Sequence, residues 1–199
     1  MTAALLAGLS RLITGASVRW VNCRPDARQR VYFANHTSHL DFTVIWAALP
    51  PAIRAVTRPI AAKEYWEKGK LRRYLAMKVF NAVLIDRTTV SRHNNPIDLM
   101  MTAMGERHSL ILFPEGTRGT GDEIGPFKSG LYHLGKKKPE VELVPVYIDN
   151  LNRVLPKGEF LPVPLLSSIS FGPPFQVLEN EPKDVFLERA REAVRSLRR

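Results

Sequence analysis

The feature that most constrains this chain is a recurring unit in which a short, apolar, β-prone run ends in a polar cluster and gives way to a helical stretch. Gln29 to Ala34 carries Val31, Tyr32 and Phe33 and runs into Asn35 to Ser38. Ala82 to Ile85 ends at Asp86-Arg87, and Leu110 to Phe113 is stopped by Pro114 ahead of the glycine-rich loop Glu115 to Gly125. Val141 to Ile148, which contains Pro145, and Ser167 to Phe171 complete the set, while Ala55 to Ala62 reads as extended or mixed. Between these runs the pattern predicts helices over Leu40 to Leu49, halted by Pro50-Pro51, and over the basic stretch Lys68 to Phe80. Further helices are predicted over Pro96 to Glu106, Lys128 to Leu134 and Lys183 to Arg199, the last with Phe186, Leu187, Ala190, Val194 and Leu197 inward. Alternating strands and helices in a chain of 199 residues predict a single α/β domain. Its sheet would be mixed but mostly parallel and flanked by helices, with the loops at the strand ends building the site.

Residues 1–22 stand apart. Leu5, Leu6, Leu9, Leu12, Ile13, Ala16 and Trp20 share one face of a helical wheel, with Ser10, Arg11, Thr14 and Ser17 opposite. Such an amphipathic helix suits the headgroup layer of a membrane or the surface of its own domain, and the pattern leaves both open. No run approaches the roughly 20 apolar residues that span a bilayer, so no transmembrane helix and no cleaved leader are expected. The remaining residues, 23–199, form the domain proper. A formal net charge of +10 calls for anionic partners: nucleic acid, a phosphorylated metabolite, an acidic carrier protein or an anionic membrane. The single cysteine, Cys23, precludes an intrachain disulfide or a thiolate metal cluster and fits a reducing compartment.

Three polar clusters follow predicted strands. In Asn35-His36-Thr37-Ser38-His39-Leu40-Asp41 a carboxylate stands five positions after a loop histidine. It can accept one ring N–H, fix the tautomer and leave the other nitrogen to take a proton. Ser38-x-x-Asp41 also has the spacing of a capping box, in which Asp41 only caps a helix. His36 and His39 could pair on a metal, but no third ligand stands at a suitable spacing, and no metal is expected. Arg87 and Arg118 each follow a strand, and two guanidinium groups match a phosphate monoester dianion. Glycines at 116, 119, 121 and 125 allow backbone N–H groups to approach an anion.

Taken together, Asn35-His36-x-x-x-x-Asp41, Ile85-Asp86-Arg87, Phe113-Pro114-Glu115-Gly116-Thr117-Arg118 and Val144-Pro145-Val146 stand in the order of the four blocks of the glycerolipid acyltransferases. Over residues 30–150 the chain most closely resembles the 1-acylglycerol-3-phosphate acyltransferases. Ala62-Lys63-Glu64 and Pro126-Phe127-Lys128-Ser129-Gly130 add to the match; Gly119, where many relatives carry serine, and His39, at a variable position, depart from it.

The resemblance implies the acyltransferase fold and a reaction. His36 would be the general base that deprotonates the free hydroxyl of lysophosphatidic acid as it attacks an acyl thioester, with Asp41 holding the imidazole. Thiolates leave readily, so no acyl-enzyme is required and Cys23 is a bystander. Arg87 and Arg118 would bind the acceptor's phosphate, with Glu115 positioning the arginine or the glycerol, Gly116 and Thr117 completing the loop, and Lys63 and Lys128 as further phosphate contacts. Pro145 would shape the strand beside the site. No bound cofactor is implied, since acyl-CoA or acyl carrier protein serves as co-substrate. The product would be phosphatidic acid, formed by a peripheral enzyme on the cytoplasmic face of an anionic membrane, with another lyso-lipid as an alternative acceptor. A nucleic-acid-binding module is motivated only by the charge; zinc spacing, an aromatic RNA-binding signature and a helix-turn-helix are all lacking, and nucleic acid is not an expected partner. A catalytically silent lipid-binding protein is disfavoured by the intact His36 and Asp41.

Overall fold

Alternation along the central strands sets the architecture. In Arg30–Ala34 the side chains of Val31 and Phe33 enter one apolar layer and those of Tyr32 and Ala34 the other, and all four are fully buried. Each large side chain so enclosed stabilises the fold by about 1.5–3 kcal/mol. The computed structural model describes residues 8, 17–38, 41–86, 95–119, 123–149 and 167–198. Among these, the strands are β1 (Ser17–Trp20), β2 (Arg30–Ala34), β3 (Thr57–Ala62), β4 (Val83–Ile85), β5 (Ser109–Leu112), β6 (Glu142–Asp149) and β7 (Ser168–Phe171). They form one seven-stranded sheet in the order β1-β7-β6-β2-β5-β3-β4. Strands β2 to β6 run parallel to one another where they pair, β7 is antiparallel to β6, and β1 is parallel to β7. The expected single α/β domain with a mixed, mostly parallel sheet is therefore what the chain adopts.

Helices α1 (Asp41–Ala48) and α2 (Pro51–Ala55) follow β2. After β3 come α3 (Lys63–Trp66) and α4 (Lys70–Tyr74), which continues into a π-helical turn, Leu75–Val79. Helices α5 (Pro96–Met104), α6 (Gly130–Lys137) and α7 (Lys183–Arg195) complete the set among the described residues. The layer on one face of the sheet holds Phe42, Trp46 and Phe80; the other holds Met104, Leu131 and Phe186. At the strand N-terminal edge, Arg30 is only 2% exposed and donates from Nε to Glu142 at 2.8 Å, so that buried charge is neutralised far from the strand C-terminal ends.

Local structure departs from expectation at three places, and at Pro50-Pro51 it meets the expectation and adds a second helix. Residues 17–20 are an edge strand paired to β7, not the end of a helix, because Trp20 stacks on Phe171 at 4.1 Å and 7° between planes; the rest of the proposed amphipathic helix lies outside the described residues. Pro50-Pro51 does end α1, but Pro51 then opens α2, where its missing N–H costs nothing. Helix α3 was not foreseen, being only four residues long. The basic helix begins at Lys70 and widens into the π turn, which sets Ala76 and Phe80 against the core.

Pro145 sits in β6 between two partner strands, a position that ordinarily excludes proline. The Gly172 N–H donates to the Pro145 carbonyl at 2.8 Å, and proline has no N–H to return the bond. The ladder with β7 ends there, one residue past Phe171.

Candidate active site

Parallel strands deliver the ends of β2, β3, β4, β5 and β6 to one edge of the sheet. At the end of β2, Asn35 exchanges two hydrogen bonds with Ile148 at the end of β6: its Nδ2 donates to the carbonyl at 2.9 Å, and its Oδ1 accepts the N–H at 2.8 Å. His36 follows. Its backbone N–H donates to Glu115 Oε1 at 2.7 Å, and its carbonyl accepts the Gly119 N–H at 2.8 Å. The loop after β5 therefore holds both sides of the histidine's backbone.

The imidazole stacks on Phe113, with centroids 4.3 Å apart and 21° between planes. Its Nδ1 lies 2.7 Å from Asp41 Oδ2. Nδ1–H donating to a carboxylate leaves Nε2 with its lone pair, and Nε2 has no hydrogen-bond partner among the described residues. The side chain of Asp41 is fully buried, while that of His36 remains 21% exposed. The same Oδ2 accepts the backbone N–H groups of Thr37 at 2.6 Å and Ser38 at 2.9 Å. The Ser38 bond is the one a capping box would supply, so the two readings of Asp41 coexist: it closes the helix start and orients the imidazole.

Glu115 is buried, and its second oxygen, Oε2, accepts the Gly125 N–H at 2.9 Å. Burial pushes its carboxyl above the ordinary glutamate value, opposed by the N–H donors of His36 and Gly125. Its two oxygens thus tie the loop after β2 to the loop after β5. Gly116 has φ +70°, and a Cβ there would stand 2.7 Å from Lys128 Nζ and 2.9 Å from its Cδ. The Lys128 side chain lies across that glycine, while its backbone N–H donates to the Pro114 carbonyl at 2.8 Å. Thr117 is exposed and Arg118 half-buried on the same loop. Neither Arg118 nor Lys128 is in an ion pair among the described residues, which leaves a cationic margin beside His36. Lys63 opens α3 at the end of β3, exposed on this edge, and Asp86 follows β4. Arg87 and His39 lie outside the described residues. Behind the same loops a cavity of about 410 Å³ is lined by Asn35, Glu115, Tyr147, Arg195 and Arg198. Among the described residues, no group of three or more His, Cys, Asp or Glu could hold a metal ion.

A family model described as Acyltransferase matches residues 18–149, well over half of the chain and all of the strand-end loops just described. The chain belongs to the acyltransferase family. Curated relatives include the 1-acyl-sn-glycerol-3-phosphate acyltransferase of Limnanthes douglasii, 27% identical over 175 residues, covering 85% of this chain and 58% of the plant protein. The 1-acyl-sn-glycerol-3-phosphate acyltransferase alpha of Homo sapiens is 31% identical over 137 residues, covering 67% of this chain and 45% of the human one. This chain thus spans about half the length of the curated relatives it matches. Among solved structures, the 1-acyl-sn-glycerophosphate (LPA) acyltransferase PlsC of Thermotoga maritima superposes with a TM-score of 0.73 at 20% identity, covering 97% of this chain and 78% of that one, which establishes a shared fold.

In this member of the family, four contributors to the site have partners that the sequence alone does not name, among them Gly119 and Gly125, the glycines expected to bring backbone N–H groups to an anion. Asn35 was visible only as a motif letter. Phe113, and the N–H groups of Gly119 and Gly125, act on residues about 80 or about 10 positions away along the chain, and no local spacing announces such contacts.

Proposed function

We propose that this acyltransferase moves a fatty acyl group from an acyl thioester to the free hydroxyl of lysophosphatidic acid, giving phosphatidic acid in phospholipid biosynthesis. The observation that carries the reading is the 2.7 Å contact between His36 Nδ1 and buried Asp41, with the ring beside a loop bearing Arg118 and Lys128. In the reaction, His36 Nε2 takes the hydroxyl proton as that oxygen attacks the thioester carbonyl. The new C–O bond forms, the C–S bond breaks as the tetrahedral centre collapses, and the imidazolium returns its proton to the departing thiolate. The developing positive charge on the ring is balanced by Asp41, and the carboxylate does not itself take the proton. Arg118 and Lys128 suit the acceptor's phosphate, with Lys63 at the end of β3 as a further ligand and Arg87 as another that the family resemblance implies. The excess of basic residues favours either donor, a CoA thioester with its phosphates or an acidic carrier protein, and favours a peripheral position on the cytoplasmic, anionic face of a membrane.

The test offers purified protein lysophosphatidic acid, lysophosphatidylethanolamine and lysophosphatidylglycerol, each with acyl-CoA and with acyl carrier protein, and reads acylated product by mass spectrometry. Phosphatidic acid as the dominant product is the expected result. Preference for an acceptor lacking a terminal phosphate would overturn the acceptor, and no transfer from either donor would overturn the reaction.

A further inference from the structure

Large apolar side chains that stand exposed singly are normal; several on one short segment are not. Six are exposed among the described residues, and three of them fall within seven positions: Leu71 at 72%, Tyr74 at 51% and Met77 at 49%. They lie on α4 and the π turn that follows it, whose inner face is already committed. Ala76 and Phe80 are buried there, and Leu75 and Val79 pack against the same layer. Five cations share the segment, Lys68, Lys70, Arg72, Arg73 and Lys78, and every one is exposed. Glu67 is the single acid between residues 67 and 78.

We propose that this face of α4 and the π turn is a docking surface for an anionic lipid bilayer, with Leu71, Tyr74 and Met77 entering the headgroup layer and the ring of cations meeting lipid phosphates. The mixture of side chains selects the occupant. Protein interfaces are depleted of lysine at their centres, whereas an interfacial helix joins apolar side chains to lysine and arginine, with tyrosine at the water boundary. Leucine and methionine offer no stacking surface to a nucleic acid base.

The placement serves the reaction. Phe80 packs edge-on against Phe42 at 4.9 Å and Trp46 at 5.1 Å, and Phe42 is the residue after Asp41. Phe113, on which the His36 ring stacks, packs against the same core layer. A bilayer meeting α4 would therefore lie on the face of the sheet that carries the imidazole, where a lipid acceptor need not leave the membrane far behind. This step rests on the lipid-acylating function proposed above.

The experiment floats the full chain with vesicles of phosphatidylcholine alone or mixed with phosphatidylglycerol, a measurement that requires no turnover. One variant carries Leu71→Ser, Tyr74→Ser and Met77→Ser; the other carries Lys70→Ala, Arg72→Ala and Arg73→Ala. All six positions are exposed, and thermal melts confirm that both variants fold. The wild type should float with the mixed vesicles only. Each cation removed should weaken partitioning about fivefold, so the second variant should lose roughly 100-fold. The first variant should lose binding even to mixed vesicles. Transfer to a short-chain, water-soluble acceptor without vesicles should be unchanged in both variants, while transfer to a vesicle-embedded acceptor falls. Partitioning equal to wild type in both variants, or a wild type that floats with neither vesicle, overturns the proposal. So does a finding that the serine variant instead loses self-association or carrier-protein binding. Failure of all acyl transfer would remove the enzymatic reading and leave the flotation result standing.

Discussion

Replacing Asp41 by asparagine separates the two jobs that one carboxylate oxygen performs. Oδ2 accepts from His36 Nδ1 at 2.7 Å, Thr37 N at 2.6 Å and Ser38 N at 2.9 Å. The asparagine carbonyl can occupy that position, which puts the amide NH2 where Oδ1 now stands, buried and without a partner among the described residues. Hydrogen bonds to a charged acceptor are roughly twice as strong as neutral ones, so three such bonds lose about 3 kcal/mol together. The NH2 takes over a site where Oδ1 already has no partner, so it adds no new unsatisfied group. The variant should therefore be destabilised by about 3 kcal/mol, with the loop still in place.

The catalytic loss has a different origin. When His36 becomes an imidazolium, the wild type opposes it with a buried carboxylate. Unit charges about 4 Å apart at an effective dielectric constant of about 20 attract by about 4 kcal/mol, close to three decades in rate. Thiol release from an acyl thioester, followed at saturating acceptor and well below the variant's melting temperature, should show kcat reduced about 1000-fold with KM little changed. His36→Ala, which removes the base itself, should fall further, to background. A folded Asp41→Asn variant whose kcat stays within tenfold of wild type would refute the reasoning and leave Asp41 as a helix cap alone.

Arg118→Ala should raise the KM for a phosphate-bearing acceptor about ten- to hundredfold, the worth of one charge-assisted contact, with kcat nearly constant; an unchanged KM reassigns that arginine. Gly116→Ala places a methyl group 2.7 Å from Lys128 Nζ at φ +70°, and should cost about 1–3 kcal/mol in a denaturant titration while weakening acceptor binding as the lysine is displaced. Glu115→Gln should alter the pH dependence of stability. Because burial holds the folded carboxyl above its ordinary 4.5, the stability favoured by the protonated form is complete below 4.5 and is lost as pH rises through the folded value. The stability gap between wild type and Glu115→Gln should narrow over that window in melts taken at successive pH values, and a gap that widens with pH would contradict the assigned cause.

The sheet and the dyad were legible in the sequence because both are local. A β-prone run closed by a polar cluster is a statement about neighbours, and so is a carboxylate five residues after a histidine. Residues 17–20 misled for the same reason: over four residues Val18 and Trp20 satisfy a two-residue period as well as a helical one, and only pairing with β7 decides. The family resemblance assigns Glu115 to positioning the arginine or the glycerol, and the structure adds a tie that the resemblance does not name. The partners in that tie, the N–H groups of His36 and Gly125, lie 79 and 10 positions away, and nothing in the local pattern encodes them.

Those distant partners account for the dyad's position at the end of β2 in particular. That strand is hydrogen-bonded on one side to β5 and on the other to β6. The loop leaving it is therefore within reach of both neighbours, and both use the opportunity: β6 through the paired bonds of Asn35 and Ile148, and the loop after β5 through Glu115 and Gly119. An edge strand would have offered one such wall at most. A base that must meet a hydroxyl within hydrogen-bond reach gains from a backbone fixed on two sides, since small displacements of a catalytic group are costly in rate. The strand order that the apolar alternation imposes thus also supplies the rigidity that the imidazole requires.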